Sequence, residues 1–455
     1  MKKLRTLVLL LLTLWSNWLH ASHLMGGEIT WRCAGTSYIF TVKLYRACEG
    51  ITAPPSVQLN TNAPVGAINC NPIAVNDLTP TGNGCPFCFP APPVGTANAV
   101  EEHIYESAPI ALNGVPPATG WYFAYTDCCR NTSITNLGNS GTGSFTLRAL
   151  MYPYNGTNTN PCFDNSPQFS ERPQMATCSG DTTLYNANAI DIELDSLTYS
   201  WASPLDGGSY ATSSPYPFAF GYSANSPLPS TNQNPSNVAV TLHPSTGVVK
   251  FFSVTSGVFM TCTKVTAYKC GIKVAEVFRE IQIALVAGCN QPNLPPVNGA
   301  LNTAPDITNQ ANVNYYDVID TVYAGDTVQY DIYAKDFEYL KNIIPLQLQS
   351  ISLSATSVMF GTNYTSTTTG CLYPPCAVLM QLNGFPTPLI DTTPPIQPVW
   401  ISGLMKFRFK WVTDCNHLDK TVGCTTAKSV YNFVFKVTDN FCPSPSVNFN
   451  TFTIV

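Results

Sequence analysis

Apolar and polar residues alternate in strand fashion through Tyr38-Ile39-Phe40-Thr41-Val42-Lys43-Leu44-Tyr45, through Glu276-Val277-Phe278-Arg279-Glu280-Ile281-Gln282-Ile283, and through Tyr431-Asn432-Phe433-Val434-Phe435-Lys436-Val437. A period of two turns one face of each segment toward a core and the other toward solvent, so each is predicted to be a β-strand. No window of comparable length keeps a 3.6-residue period without a Pro or Gly interrupting it. The chain is therefore expected to be all-β, built as tandem, disulfide-stapled β-sandwich domains with short strands and many turns.

Two turn-rich stretches punctuate the pattern, Tyr152 to Pro161 and Asn290 to Gly299. With the usual domain size of about 100–200 residues, they predict sandwiches at 22–160, 161–290 and 291–455. The last two carry a weak internal repeat. Ala189-Ile190-Asp191-Ile192-Glu193 is echoed by Ala334-Lys335-Asp336-Phe337-Glu338, and Pro244-Ser245-Thr246-Gly247-Val248-Val249-Lys250-Phe251 by Ser402-Gly403-Leu404-Met405-Lys406-Phe407. In the second pair a turn glycine feeds a strand.

The first residues set the compartment. Lys2, Lys3 and Arg5, the apolar run Leu7 to Leu14, and the small residue Ala21 form a secretory signal peptide over 1–21. No later segment approaches the roughly 20 apolar residues of a transmembrane helix. A secreted, extracellular or outer-surface location follows, and in that oxidising space the 17 cysteines read as disulfide candidates. They are Cys33, Cys48, Cys70, Cys85, Cys88, Cys128, Cys129, Cys162, Cys178, Cys262, Cys270, Cys289, Cys371, Cys376, Cys415, Cys424 and Cys442. An odd number leaves one thiol free or available to another chain. The chain holds 22 basic and 27 acidic side chains, and loses three of the basic ones with the signal peptide, which argues against nucleic acid and anionic membranes as partners.

Candidate chemistry is sparse. Asp127-Cys128-Cys129-Arg130 places two thiols between an acid and a base; adjacent strand residues face opposite ways, so the pair reads as two separate staples rather than a nucleophile or a metal site. Cys85-Pro86-Phe87-Cys88 has redox spacing but lies among loop residues without a βαβ pattern, so disulfides are expected. Cys371 with Cys376, and Cys415 with Cys424, could each close a short loop. Gly138 to Ser144 reads as a surface turn, and Glu101-Glu102 as a solvated edge. His23, His103, His243 and His417 form no metal pair. Asp191, Glu193 and Asp195, with Asp336 and Glu338, alternate along extended loops in a way that suits a hard cation such as calcium; exposed loop acids at a strand entrance are the other reading.

Ser22-His23-Leu24-Met25-Gly26-Gly27-Glu28-Ile29-Thr30-Trp31-Arg32-Cys33, Leu44-Tyr45-Arg46-Ala47-Cys48, Asp127-Cys128-Cys129-Arg130-Asn131 with Ile134 to Leu137, and Asn165-Ser166-Pro167-Gln168-Phe169 together resemble the N-terminal region of large secreted surface proteins of gliding Bacteroidota. That resemblance implies type IX secretion and display as an adhesin-like or gliding-associated protein with cadherin-like or PKD-type Ig-like modules. It implies calcium at Asp191, Glu193, Asp195, Asp336, Glu338 and Asp439, with no other cofactor. The usual Asp-Gly-Asp core is here Glu193-Leu194-Asp195, and Leu resists the positive φ that Gly permits. No sorting domain is recognisable before Val455, which leaves open whether the protein continues. Triplets starting at Asp181, Asp195, Asp320, Asp326 and Asp391 resemble the O-glycosylation signal of these bacteria. The expected function is adhesion, surface attachment or gliding without catalysis, through contact with a polysaccharide, an extracellular surface or another surface protein. The alternative is a secreted carbohydrate-active enzyme or its accessory binding part.

Overall fold

The computed structural model describes residues 24–47, 52–78, 100–128, 130–138, 143–155, 162, 164–287, 297–300, 317–340, 346–391, 397–418, 429–441 and 445–455. The signal peptide, His23, Cys48, the Cys85–Cys88 pair, Cys129, Cys289, Cys424, Cys442 and most of both Gly138–Ser144 and Asn290–Gly299 lie outside the described residues.

Seven strands open the chain: β1 (Leu24–Ala34), β2 (Ser37–Ala47), β3 (Val57–Thr61), β4 (Ile68–Asp77), β5 (Val100–Ser107), β6 (Trp121–Cys128) and β7 (Ser144–Met151). They pair antiparallel in the order β1-β2-β5-β4-β3-β6-β7. The alternation along β2 behaves as its sequence predicts, with Tyr38, Phe40, Val42 and Leu44 buried. Phe40 and Trp31 meet Phe123 from across the sheet, with ring centroids 4.3 and 6.0 Å away.

Two-residue strands aside, the strands that follow are β8 (Ala176–Cys178), β9 (Thr182–Asn186), β10 (Ser196–Trp201), β11 (Val238–Leu242), β12 (Val248–Phe252), β13 (Gly257–Lys269) and β14 (Ile272–Val286). β14 pairs along its length with β13. Its other edge is shared by three partners in succession: β7 at Ala275–Val277, β1 at Arg279–Ile281 and, in parallel, β8 at Ala284–Val286. Because both end strands of the N-terminal sheet land on this one edge, that sheet closes into a ring. The expected boundary at 160/161 therefore does not separate two sandwiches; one sheet and one hydrophobic core, from Leu24 to Leu285, run across it.

β14 also departs from its sequence pattern. The alternation Glu276 to Ile283 predicts one solvated face, yet Glu276, Arg279, Glu280 and Gln282 are all buried. Covered on both sides, these polar groups must find partners inside the protein.

The longer C-terminal strands are β15 (Val297–Ala300), β16 (Asp317–Asp320), β17 (Thr327–Lys335), β18 (Ser350–Thr356), β19 (Val378–Gln381), β20 (Trp400–Ser402), β21 (Leu404–Val412), β22 (Tyr431–Asp439) and β23 (Val447–Ile454). Sheets β15-β17-β21-β19 and β16-β23-β22-β18-β20 enclose a core with Phe407, Phe409, Phe433, Phe435 and Phe452. The preceding unit repeats this plan: β9-β12-β11 forms one sheet and β8-β14-β13-β10 the other, and in both units a short early strand runs parallel to the last. This is the immunoglobulin-type sandwich. The sequence repeat falls at equivalent places, with Asp191 and Asp336 ahead of β10 and β18, and Gly247 and Gly403 ahead of β12 and β21, at φ +75° and +79°.

The two modules touch through Leu184 and Val248 against Val434 and Phe449, and through a Lys436–Glu171 ion pair at 2.6 Å. Disulfides Cys33–Cys162 and Cys371–Cys376 are present, and Cys128, Cys178 and Cys270 are also disulfide-bonded. Among the described residues Cys70, Cys262 and Cys415 are instead free thiols. Cys70 lies in the N-terminal core and Cys262 among Leu150, Tyr152 and Phe278, where burial pushes both thiols up to about 12 and they behave as small apolar side chains. Cys415 is free and exposed, and its suggested partner Cys424 lies outside the described residues. Disulfides of this kind suit an oxidising, extracellular space. Among the described residues no helix is long and apolar enough to cross a membrane.

Candidate functional site

Two of the residues that make the sequence distinctive, Glu28 and Arg130, pair with side chains of β14. Gly26 and Gly27 let β1 approach closely: a Cβ on Gly26 would stand 2.1 Å from the Glu280 carbonyl oxygen, and one on Gly27 2.5 Å from that of Lys43. Glu28, next along, forms a buried ion pair with the Arg279 Nε, accepts a hydrogen bond from the Tyr45 hydroxyl at 2.9 Å, and lies 3.3 Å from the Lys43 ammonium. Burial alone would raise the Glu28 carboxyl, but Arg279 and Lys43 hold it below its ordinary value. Arg279 also donates to the Tyr185 hydroxyl at 2.9 Å and the Glu171 carbonyl at 2.7 Å, and its guanidinium lies 4.2 Å from the Phe169 ring centre.

Arg130, whose neighbouring thiols drew notice in the sequence, is fully buried. It donates to both Glu280 carboxylate oxygens at 2.8 and 3.3 Å and to the Leu205 carbonyl at 3.1 Å, between the rings of Phe145 and Tyr216. Asn136 clamps Met260 and Pro227 through three backbone hydrogen bonds. Ser166 and Asn165 bind the backbone of Trp31 and Cys33. These side chains fasten segments to one another.

The acidic loop is built on Asp191. Its Oδ1 accepts the backbone N–H groups of Glu193 and Asp195 at 3.0 and 3.1 Å. Leu194 sits at φ +63°, so the conformation expected to demand glycine is adopted by leucine, whose side chain packs against the core of the C-terminal module. The Lys269 ammonium, at the end of β13, lies 2.9 Å from Asp195 and 3.1 Å from Asp164, both buried. Burial would lower the Lys269 amine, but these carboxylates more than offset that and raise it. Asp191 is raised by burial, then by Asp195 and Glu193.

Calcium does not fit this arrangement. Among the described residues no three carboxylate, histidine or cysteine side chains converge so as to hold a metal ion, and the positive charge beside Asp164 and Asp195 is already supplied by Lys269. The remaining expected ligands lie in the other module. Asp336 repeats the Asp191 turn, with Oδ1 accepting the Glu338 N–H at 2.9 Å. Asp439 is fully buried, and its Oδ1 accepts the N–H groups of Phe441 and Ser446 at 3.0 Å each.

Glu101-Glu102 is not the solvated edge its sequence suggests. Glu102 is buried and accepts from Asn76 at 2.8 Å, while Glu101 meets Arg46 and His103 at 2.9 and 3.0 Å. His417 is buried too, with Nδ1 accepting the Asp414 N–H and Nε2 on the Tyr373 carbonyl, both at 2.9 Å.

One feature invisible in the sequence is a cleft of about 340 Å³ where the acidic loop faces the C-terminal module. Asn188, Asp191, Asp195 and Thr246 line one wall, and Ser357, Asn432, Thr451 and Thr453 the other. Such a junction brings together residues more than a hundred positions apart, so no local motif could mark it.

No family model matches the chain, and no curated protein matches it. Solved structures give distant likenesses. A chimeric titin Z1Z2-Z1Z2 tandem shares 10% identity at a TM-score of 0.16, covering 64% of this chain and 98% of that one. An endo-fucoidan hydrolase of glycoside hydrolase family 107 shares 10% at 0.16, with 89% of this chain and 43% of that one covered. Extracellular domains 3–5 of Drosophila OTK share 7% at 0.13, covering 91% of each. Likeness at this level carries no argument about activity.

Proposed function

We propose that this chain is a secreted, surface-exposed, multi-module β protein that acts in adhesion, surface attachment or gliding, without catalysis, and reaches the cell surface by the type IX route. The observation that supports this reading is the inward orientation of the distinctive residues: Glu28, Arg130, Asn136 and Asn165 bind strands of the protein itself, as suits a body built to hold its shape. Its partners on this reading are a polysaccharide, another extracellular surface or another surface protein.

The test is a deletion in the native host together with antibody labelling of intact cells. Loss of attachment or gliding at unchanged growth, with the protein accessible to antibody on wild-type cells, is the expected result. Normal attachment and gliding, or release of reducing ends from a polysaccharide by the purified chain, would overturn the reading.

A further inference from the structure

The outer face of the β15-β17-β21-β19 sheet is basic, on a chain whose acids outnumber its bases by 27 to 22. Lys406, Arg408 and Lys410 stand at every second position of β21, so all three side chains point away from the core, about 7 Å apart along the strand. Lys335 joins them from β17. The strands of this sheet place one acid on that face, Asp331, and the Arg408 guanidinium holds it through two hydrogen bonds of 2.6 and 2.7 Å. These use Nε and Nη2, which leaves Nη1 for another acceptor. Among the described residues no carboxylate lies within ion-pairing distance of Lys335, Lys406 or Lys410.

Two ordinary roles do not account for the row. Lysines commonly guard the open edge of a sheet, but β21 is paired on both sides, with β17 and β19. The other role is docking of a further module, and the internal repeat speaks against it. In the preceding module Leu184 and Val248 occupy the equivalent face and pack on the C-terminal module. Cross-strand register matches Leu184, opposite Lys250, to Tyr333, opposite Lys406; Val248 then matches Leu404, and Phe252 matches Arg408. A face that buries apolar side chains against protein in one module thus carries charge and meets solvent in the other.

Charges spaced evenly along a line suit a partner whose charges also repeat along a line. A bilayer or a nucleic-acid duplex is broad and would meet the acidic remainder of the chain. A single polysaccharide strand bearing anionic groups is narrow enough to lie along β21. The Tyr333 ring, directly across from Lys406 and with the Lys335 ammonium 5.8 Å from its centre, offers a flat apolar surface to a sugar ring.

We propose that this face binds an anionic polysaccharide strand, with Lys406, Arg408 and Lys410 contacting its sulfate or carboxylate groups in a row and Lys335 and Tyr333 flanking them. The inference rests on the adhesion reading above and names the chemistry of its partner.

Biolayer interferometry of the purified mature chain on immobilised dextran sulfate, polygalacturonate and neutral dextran tests it. The chain should bind at least one of the two charged polymers, ignore neutral dextran, and bind more weakly as sodium chloride rises. Binding to dextran sulfate alone assigns the row to sulfate groups, and binding to polygalacturonate alone to carboxylates. Lys406→Gln with Lys410→Gln changes two exposed side chains and should weaken binding about tenfold. Arg32→Gln with Lys250→Gln removes the same charge from exposed positions off this face and should leave affinity near the wild-type value. Melting curves verify folding; if the Lys406 and Lys410 variant melts early, Lys335→Gln on the neighbouring strand decides by the same criterion. Binding to neither charged polymer, equal binding to neutral dextran, wild-type affinity in the folded variant, or an equal loss in the Arg32 and Lys250 control would overturn the inference. If neither polymer binds while the deletion strain fails to attach, this inference falls and the adhesion reading stands. Binding that the Lys406 and Lys410 variant loses, with normal attachment and gliding of the deletion strain, would do the reverse.

Discussion

Arg130 and Glu280 show what a buried charge pair does in this protein. Removing one partner strands the other away from water, a cost of about 3–5 kcal/mol, whereas replacing both with apolar groups is often nearly neutral. Arg130→Met should therefore lower the urea midpoint sharply, and Arg130→Met with Glu280→Leu should recover most of the loss. Two carboxyls titrate in opposite senses. Glu28 is lowered in the fold, so its contribution is complete above the unfolded value near 4.5 and fades as pH falls through the lower folded value. Asp191 is raised, so whatever it contributes is present below 3.8 and is lost as pH rises through its folded value. Melting of the N-terminal ring followed across acid pH should show Glu28→Gln removing the loss on acidification, and Asp191→Asn flattening the loss on the alkaline side. Arg130 stood out in the sequence for the wrong neighbours: its two thiols drew the eye, while its partner lies 150 positions away with nothing local to announce it. Leu194 misled in another way, since the packing of its side chain on the next module holds a backbone angle that the isolated loop would resist.

Among elements, β14 was legible as a strand but not in its role. Its alternation and length predict a β-strand; that both faces are covered depends on β1, β7 and β8 arriving at one edge, which no period can reveal. The repeat was legible because the same turn chemistry recurs: an Asp whose side chain accepts the N–H two residues on, and a positive-φ glycine before a strand. The Gly26-Gly27 pair was noticed as a pattern, and its reason is steric. Gly26→Ala would drive a methyl into the Glu280 carbonyl, backbone against backbone, with no flexible side chain to yield. Loss of about 1–3 kcal/mol is expected. Hydrogen exchange should locate it in β1 and the Arg279–Ile281 segment, while Gly66→Ala, with open space around it and no left-handed backbone angle, leaves their protection unchanged.

At the scale of the whole molecule, the all-β class and the tandem sandwiches were readable from periodicity and turn spacing, and the merging of the first two units was not. The Cys33–Cys162 bridge closes a loop of 129 residues and pins the end of β1 to the segment entering the second unit. In the chain-entropy account such a long loop contributes about 4–5 kcal/mol. Cys33→Ser with Cys162→Ser should lower the unfolding midpoint far more than Cys371→Ser with Cys376→Ser, whose loop spans 5 residues.

The shared edge of β14 also imposes an order in time. A chain delivered from its N-terminus presents β1 and β7 long before Ile272–Val286 has emerged, and until then both lack the strand that completes their hydrogen bonding. Pairings so distant in sequence form slowly, and open strand edges invite neighbouring chains to take the missing place. A product cut short anywhere before residue 272 would therefore be prone to self-association, and holding the growing chain apart until β14 arrives becomes a requirement of its biogenesis.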